Sequence, residues 1–198
     1  DYEKLSSKFR AIGPEIVINC AAYTSVDEAE KNRDLAFRVN AEAVREIALL
    51  CKEIGAILIH FSTDYVFGGE KTEGYAENDE VAPLNVYGES KAAGERAILE
   101  SGAKYYIVRT SWLFGPNGKN FVDTMLKLGE NALVSATELK VVNDQFGSPT
   151  YACDLCEAVA RNFLQPRLDG GNVPDFGIYH LTNAGKCSWH DFARKIFE

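Results

Sequence analysis

The sequence predicts an α/β fold: a doubly wound parallel sheet with helices on both faces. Short apolar runs of strand length alternate along the chain with longer runs of helical period. The short runs are apolar throughout rather than alternating, the pattern of strands covered on both sides. Gly, Pro or polar residues punctuate them.

The elements follow in order. Tyr2, Leu5, Phe9 and Ile12 give an amphipathic opening helix, and after Gly13-Pro14 the run Glu15–Ala22 reads as a buried strand. Val39, Ala43, Ile47, Leu50 and Ile54 place a helix over Leu35–Ile54, stopped by Gly55. Ala56–Phe61 is the next strand, Asn85–Glu100 a helix followed by Gly102, and Tyr105–Thr110 a third strand. Beyond these come a helix over Phe121–Leu128, a loop over Asn131–Thr137, a short strand Leu139–Val142 and a helix over Ala152–Leu164. The series ends with a strand Gly177–Leu181 and a helix Trp189–Phe197, for which Ser188 is the N-cap and Asp191 stands three residues on.

Composition narrows the function. The chain has 198 residues, 46% hydrophobic and 25% charged, enough for one large and one small domain. No run of about 18 apolar residues appears, so no membrane partner is expected. Asp1–Lys4 does not open a signal peptide. A net charge of −8 argues against a nucleic-acid surface. Five cysteines without framework-like spacing fit a reducing cytoplasm. Cys153 and Cys156 have the CxxC spacing, and Cys187 with His190 could complete a zinc site. Both cysteines of the first pair fall in the apolar helical run Tyr151–Leu164, so they are read as small core residues and no metal site is assigned.

In a parallel sheet the ligand sits beyond the carboxyl ends of the strands. That directs attention to Ala21–Thr24, Ser62–Tyr65 and Thr110–Phe114. Tyr87 and Lys91 stand one turn apart on a predicted helix and share a face. A tyrosine is a useful general acid only if its pKa falls from about 10, and a lysine one turn on supplies the positive charge for that. Taken alone, the YxxxK pair reads more readily as a solvated Tyr-Lys pair on a helix face. Thr63 ends an apolar strand, where its hydroxyl could bond a substrate carbonyl or merely cap the turn. Small residues at Asn19–Ala22 would let a flat ring approach the backbone, or would serve tight helix–sheet packing.

Five longer stretches turn these fragments into a resemblance. They are Ser-Thr-Asp-Tyr-Val-Phe (62–67), Pro-Leu-Asn-Val-Tyr-Gly-Glu-Ser-Lys (83–91), Arg-Thr-Ser-Trp (109–112), Asn-Phe-Val-Asp-Thr-Met (120–125) and Asn-Asp-Gln-Phe-Gly-Ser-Pro-Thr (143–150). With Ala-Ala-Tyr-Thr-Ser-Val-Asp (21–27) and the Ser-Trp-His-Asp-Phe-Ala run near the end, the chain resembles the dTDP-4-dehydrorhamnose reductases, extended short-chain dehydrogenase/reductases. The resemblance spans essentially the whole chain. It implies a Rossmann-like sheet carrying a catalytic set of Thr63, Tyr87 and Lys91. It also implies NADPH or NADH held by Ala21, Ala22, Tyr23, Thr24, Tyr87 and Lys91, and a dTDP-sugar met by Thr63, Asp64 and Trp112. Tyr87 would give its proton to the C4 carbonyl oxygen, and Lys91 would hold the nicotinamide ribose and lower the Tyr87 pKa.

The family's first strands and Gly-rich pyrophosphate loop have no counterpart here, and neither does the end of its small sugar-binding domain. The expectation is therefore a truncated member that binds dinucleotide poorly by itself. Residues 1–142 would form the partial nucleotide-binding domain and 143–198 part of the substrate domain. Two other functions stay open. One is a non-catalytic binding protein like the regulatory subunit of methionine adenosyltransferase; the other is a nucleotide-sugar epimerase or dehydratase, for which Asp64 beside Thr63 would serve. The first reading is a cytoplasmic enzyme, with a homodimer as the candidate assembly.

Overall fold

The computed structural model describes residues 2–198. Its elements run α1 (Tyr2–Ile12), β1 (Ile16–Asn19), α2 (Val26–Lys31), α3 (Arg33–Phe37), a π-helical turn (Arg38–Glu42), α4 (Ala43–Ile54), β2 (Ile57–Thr63) and a 3₁₀ turn (Asp64–Val66). Then come α5 (Val86–Ser101), β3 (Lys104–Thr110), β4 (Leu113–Phe114), α6 (Phe121–Ser135), β5 (Phe146–Gly147), β6 (Thr150–Tyr151) and α7 (Ala152–Val159). A second π turn (Ala160–Leu164), α8 (Gln165–Asp169), β7 (Gly177–His180), β8 (Cys187–Ser188) and α9 (Trp189–Phe197) complete the chain.

The chain forms two compact units. Of the described residues the first holds 2–109 and 175–180, the second 110–174 and 181–198. Residues 110–142, grouped with the first segment by the sequence reading, thus cluster with 143–174.

The first unit is the parallel α/β layer. Its sheet has the order β1-β2-β3-β7, with β1 parallel to β2 and β3 parallel to β7. The parallel sheet expected from the apolar runs is present. Its core is Val44, Ala48, Cys51, Leu58, Ile98 and Ile107, with Phe9, Val17 and Ile178 packed against it. Here α4 and α5 lay their apolar stripes on the strands. Both end on left-handed glycines, Gly55 at φ 78° and Gly102 at φ 72°, as the sequence indicated for Gly55.

In the second unit β4 pairs parallel with β6, and β5 antiparallel with β8. Ser188 caps α9 in a reciprocal capping box with Asp191, as its spacing predicted.

Several boundaries differ from the sequence reading. The first strand stops at Asn19 instead of Ala22, because Cys20–Thr24 takes its hydrogen bonds from side chains. The helix expected over Leu35–Ile54 is interrupted by the π turn that seats Asn40, which is fully buried. A π turn likewise interrupts the helix read over Ala152–Leu164. Residues Asn131–Ser135, expected as loop, continue α6 to a left-handed stop at Ala136. No strand forms over Leu139–Val142: the Val142 carbonyl accepts from His190 N, so this backbone is spent on the start of α9. Cys153 and Cys156 are exposed, not core, because α7 turns Leu155 and Val159 inward.

Candidate active site

Register brings the first two site segments together. Asn19 pairs with His60, so β1 and β2 release their following residues, 20–24 and 64–66, from the same end of the sheet. Asn85 caps α5 with its side chain, accepting from Gly88 N at 2.8 Å. Gly88 is required there: a Cβ would collide with the Tyr65 carbonyl oxygen. The helix therefore starts hard against the 3₁₀ turn after Thr63, and the Tyr65 and Tyr87 rings meet edge to face at 5.5 Å. Gly94 serves the same end one and a half turns on, since a Cβ there would meet the Asn40 carbonyl.

Thr63 and Lys91 are buried and Tyr87 is half-buried. The Thr63 hydroxyl donates to Asp64 Oδ1 at 3.0 Å and accepts from Tyr65 N at 3.2 Å. Burial pushes the Tyr87 phenol up to about 12; a hydrogen bond with Thr63 opposes the rise, and Asp64 and Tyr65 add to it. Burial also raises Asp64 from its ordinary value. Lys91 Nζ donates to the Phe61 carbonyl at 2.7 Å and lies 3.3 Å from His60 Nε2. Desolvation brings this amine down to about 8, against the pull of Glu95 one turn further along α5.

The sequence reading had Lys91 lowering the Tyr87 pKa. In the protein alone the amine is turned to β2, and burial, not the lysine, governs Tyr87. The set can still supply a hydroxyl donor pair, Thr63 and Tyr87, beside a buried cation, which is the donor set a carbonyl reduction needs.

The segment Cys20–Thr24 forms an irregular shelf beyond β1. Asn19 Oδ1 accepts from Ala21 N at 3.1 Å. The Asn40 amide grips the Tyr23 backbone on both sides of its Cα, Oδ1 accepting from Tyr23 N at 2.8 Å and Nδ2 donating to Tyr23 O at 3.0 Å. Ala21 and Thr24 are exposed, and Ala22 and Tyr23 half-buried. Small side chains on a fixed backbone fit the flat ring and ribose of a dinucleotide. Its pyrophosphate finds no Gly-rich strand-to-helix turn in this sequence. Among the described residues no three His, Cys, Asp or Glu group as a metal site.

Trp112, the expected sugar platform, belongs to the second unit. It sits at φ 46° and stacks on Trp189 with ring centroids 3.4 Å apart. Gly147 admits it, because a Cβ there would run into the indole.

Sequence reasoning missed Asn40, His60 and Glu95. Asn40 and Glu95 lie where helix periodicity predicts surface or core, and His60 sits inside an apolar strand. The usable signal was polarity out of place within apolar runs, together with Gly88 and Gly94 on one helix.

Known proteins resemble the chain over its whole length. A dTDP-4-dehydrorhamnose reductase of Escherichia coli (strain K12) is 45% identical over 99% of this chain and 63% of its own length. The spore coat polysaccharide biosynthesis protein SpsK of Bacillus subtilis is 45% identical over 100% of this chain and 65% of its own. The crystal structure of a dTDP-4-dehydrorhamnose reductase from Bacillus anthracis, in complex with NADP, superposes with a TM-score of 0.88 at 46% identity, covering 100% of this chain and 66% of that one. The chain thus spans just under two thirds of the length of these relatives. Residues 1–198 match the RmlD substrate binding domain, and the chain belongs to that family.

Proposed function

We propose that the chain carries the catalytic set of a dTDP-4-dehydrorhamnose reductase, reducing the 4-keto group of dTDP-4-dehydro-L-rhamnose to give dTDP-L-rhamnose. The supporting observation is the meeting of Thr63, Tyr87 and Lys91 at the carboxyl end of β2, in a chain 45% identical to such an enzyme. NADPH or NADH, when bound, supplies the hydride. Tyr87 gives its proton to the C4 oxygen, and Thr63 hydrogen-bonds that oxygen. Asp64 and Trp112 contact the sugar. Ala21, Ala22, Tyr23 and Thr24 line the nicotinamide end, and Lys91 holds the ribose. A phenol at about 12 is a weak donor. The reading therefore requires that the Lys91 cation act on Tyr87 in the loaded site.

The partner is then a dTDP-sugar. The homodimer anticipated from the sequence belongs to the same proposal, and light scattering checks it. The cytoplasm is proposed as the compartment: the cysteines form no disulfide, and no described helix is long and apolar enough to cross a membrane.

The test supplies dTDP-4-dehydro-L-rhamnose and a saturating excess of NADPH or NADH, and follows loss of nicotinamide absorbance together with product mass. Stoichiometric formation of the reduced sugar supports the proposal. No product with either dinucleotide, although the dinucleotide binds, rejects it.

A further inference from the structure

Three side chains form a line behind the proposed catalytic set: Asn19 at the end of β1, His60 in β2 and Lys91 on α5. Asn19 is 6% exposed, His60 0% and Lys91 2%. Asn19 Nδ2 lies 3.0 Å from His60 Nδ1, and His60 Nε2 lies 3.3 Å from Lys91 Nζ. The orientation of the Asn19 amide is fixed from outside this line, because its Oδ1 accepts from the Ala21 backbone N–H at 3.1 Å. A flipped amide would set NH₂ against N–H. With Oδ1 so engaged, Nδ2 must be the atom facing His60, and it can only donate.

His60 Nδ1 must then accept. Burial holds the imidazole well below its usual pKa, with the Lys91 charge adding to that effect, so the ring is neutral. A neutral ring that accepts at Nδ1 carries its proton on Nε2. We infer that Asn19 locks His60 in the Nε2–H tautomer, and that this N–H makes His60 the positioning residue for Lys91.

The consequence is chemical. An ammonium on Lys91 sets donor against donor at His60, whereas the neutral amine accepts from Nε2–H through its lone pair. The ammonium keeps one bond, to the Phe61 carbonyl. It therefore has reason to turn from His60 toward an acceptor elsewhere. Other groups bear on it too. Glu95 on α5 favours the ammonium and is itself held by Arg109 of β3 and the Ser62 hydroxyl of β2. Tyr87 stands one turn before Lys91 on the same helix. His60 is thus the facing group that favours the uncharged form, and it biases the ammonium away from resting on β2.

The inference deepens the reductase reading, in which Lys91 serves dinucleotide and tyrosine, but its test uses neither dinucleotide nor substrate. Long-range ¹H–¹⁵N correlation on ¹⁵N-histidine protein reads the tautomer directly, with His60→Gln assigning the signal among the three histidines. The expected result is Nε2–H for His60 in the wild type, with the Lys91 ¹³Cε resonance titrating near 8. In Asn19→Asp the carboxylate accepts from Nδ1–H, the tautomer switches, and the Lys91 titration moves upward. The new carboxylate raises the Lys91 titration by its charge alone, so the tautomer is the readout that decides. An Nδ1–H signal in the wild type overturns the inference without any variant having to fold. So does an Asn19→Asp protein that keeps Nε2–H. Failure of turnover, with the tautomer as expected, rejects the reductase reading and leaves this one standing.

Discussion

Arg109 grips Glu95 with two parallel hydrogen bonds, Nε to Oε1 at 2.9 Å and Nη2 to Oε2 at 2.7 Å, with both side chains almost wholly buried. The pair joins the end of β3 to the helix that carries Tyr87 and Lys91. Ser62 donates to the same Oε1 at 2.5 Å, tying in the end of β2. Arg109 Nη1 reaches the Glu77 carbonyl at 3.2 Å, and the guanidinium lies 4.9 Å from the Phe67 ring centroid.

Removing one partner leaves an uncompensated buried charge. Arg109→Met is therefore expected to destabilise by about 3–5 kcal/mol. The double variant Glu95→Met, Arg109→Met removes both charges, and should recover a large part of that loss. Urea unfolding of the wild type and the two variants checks it. A single variant within about 0.5 kcal/mol of the wild type, the range of an ordinary surface substitution, would show that the pair contributes little.

How much of this was legible beforehand depended on which force sets each feature. Strands of the parallel sheet are continuous apolar runs, so residues 57–61 and 105–110 stood out, and the Ser188 cap announced α9 by local spacing alone. Tyr87, Lys91 and Thr63 were visible as residue types at suggestive spacing. Their present electrostatics were not. Whether Lys91 acidifies Tyr87 depends on where the amine points, and the Phe61 carbonyl that holds it is a backbone group invisible to pattern. The π turn at Arg38–Glu42 was equally hidden, because it serves the long-range bond from Asn40 to Tyr23 and not the local helix. The Leu139–Val142 run has β-branched residues but no strand partner, and tertiary context overrode its propensity.

Catalysis gives the next prediction. Tyr87→Phe keeps the ring against Tyr65 and removes the proton. In the proposed reduction kcat should fall by about 10²–10⁴-fold, the usual worth of a positioned acid, while dinucleotide affinity holds. Lys91→Ala should lower affinity as well. Steady-state kinetics alongside calorimetric titration separate the two, and Tyr87→Phe turning over within about twofold of wild type would remove Tyr87 from the mechanism.

The pH dependence of stability has a definite sign. His60 in the folded protein lies well below its ordinary 6.5, so the unfolded chain binds the extra proton as pH falls. Stability from this group is constant above about 6.5 and is lost progressively below it. Lys91 behaves similarly at higher pH: its folded value of about 8 lies under the ordinary 10.5, so its burial costs stability below 8 and the cost fades by 10.5. Lys91→Met should accordingly be more stable than wild type at neutral pH, by about 1–4 kcal/mol as for other buried charges replaced by apolar groups. That gap should narrow as pH rises from 8 toward 10.5. Thermal melts across this range check it, and a gap independent of pH would show that Lys91 is not buried as a charge.

The last prediction concerns the second unit. Trp112 is a bulky residue at positive φ, a costly conformation that persists only where the surroundings enforce it. Three features do so. The indole stacks on Trp189 within 7° of parallel. Thr150 N donates to the Trp112 carbonyl at 3.2 Å. Gly147 leaves open the space its ring fills, so that a Cβ would overlap Cε2 and Nε1. Gly147→Ala must therefore displace the indole, and with the stack broken Trp112 loses its hold. The chain has only two tryptophans, so fluorescence excited at the red edge, where its nine tyrosines do not absorb, reports this pair alone. Gly147→Ala should change its intensity and shift its maximum toward that of an exposed indole, at a stability loss of about 1–3 kcal/mol, typical of overpacking. The sheet of the first unit should keep its far-UV circular dichroism. If Trp112 is the sugar platform, the same variant should raise KM for the sugar more than it lowers kcat, since an apolar platform binds ground and transition states alike. An unchanged tryptophan spectrum would mean that the ring does not occupy the space over Gly147, and a kcat effect with KM unchanged would take Trp112 out of the sugar site.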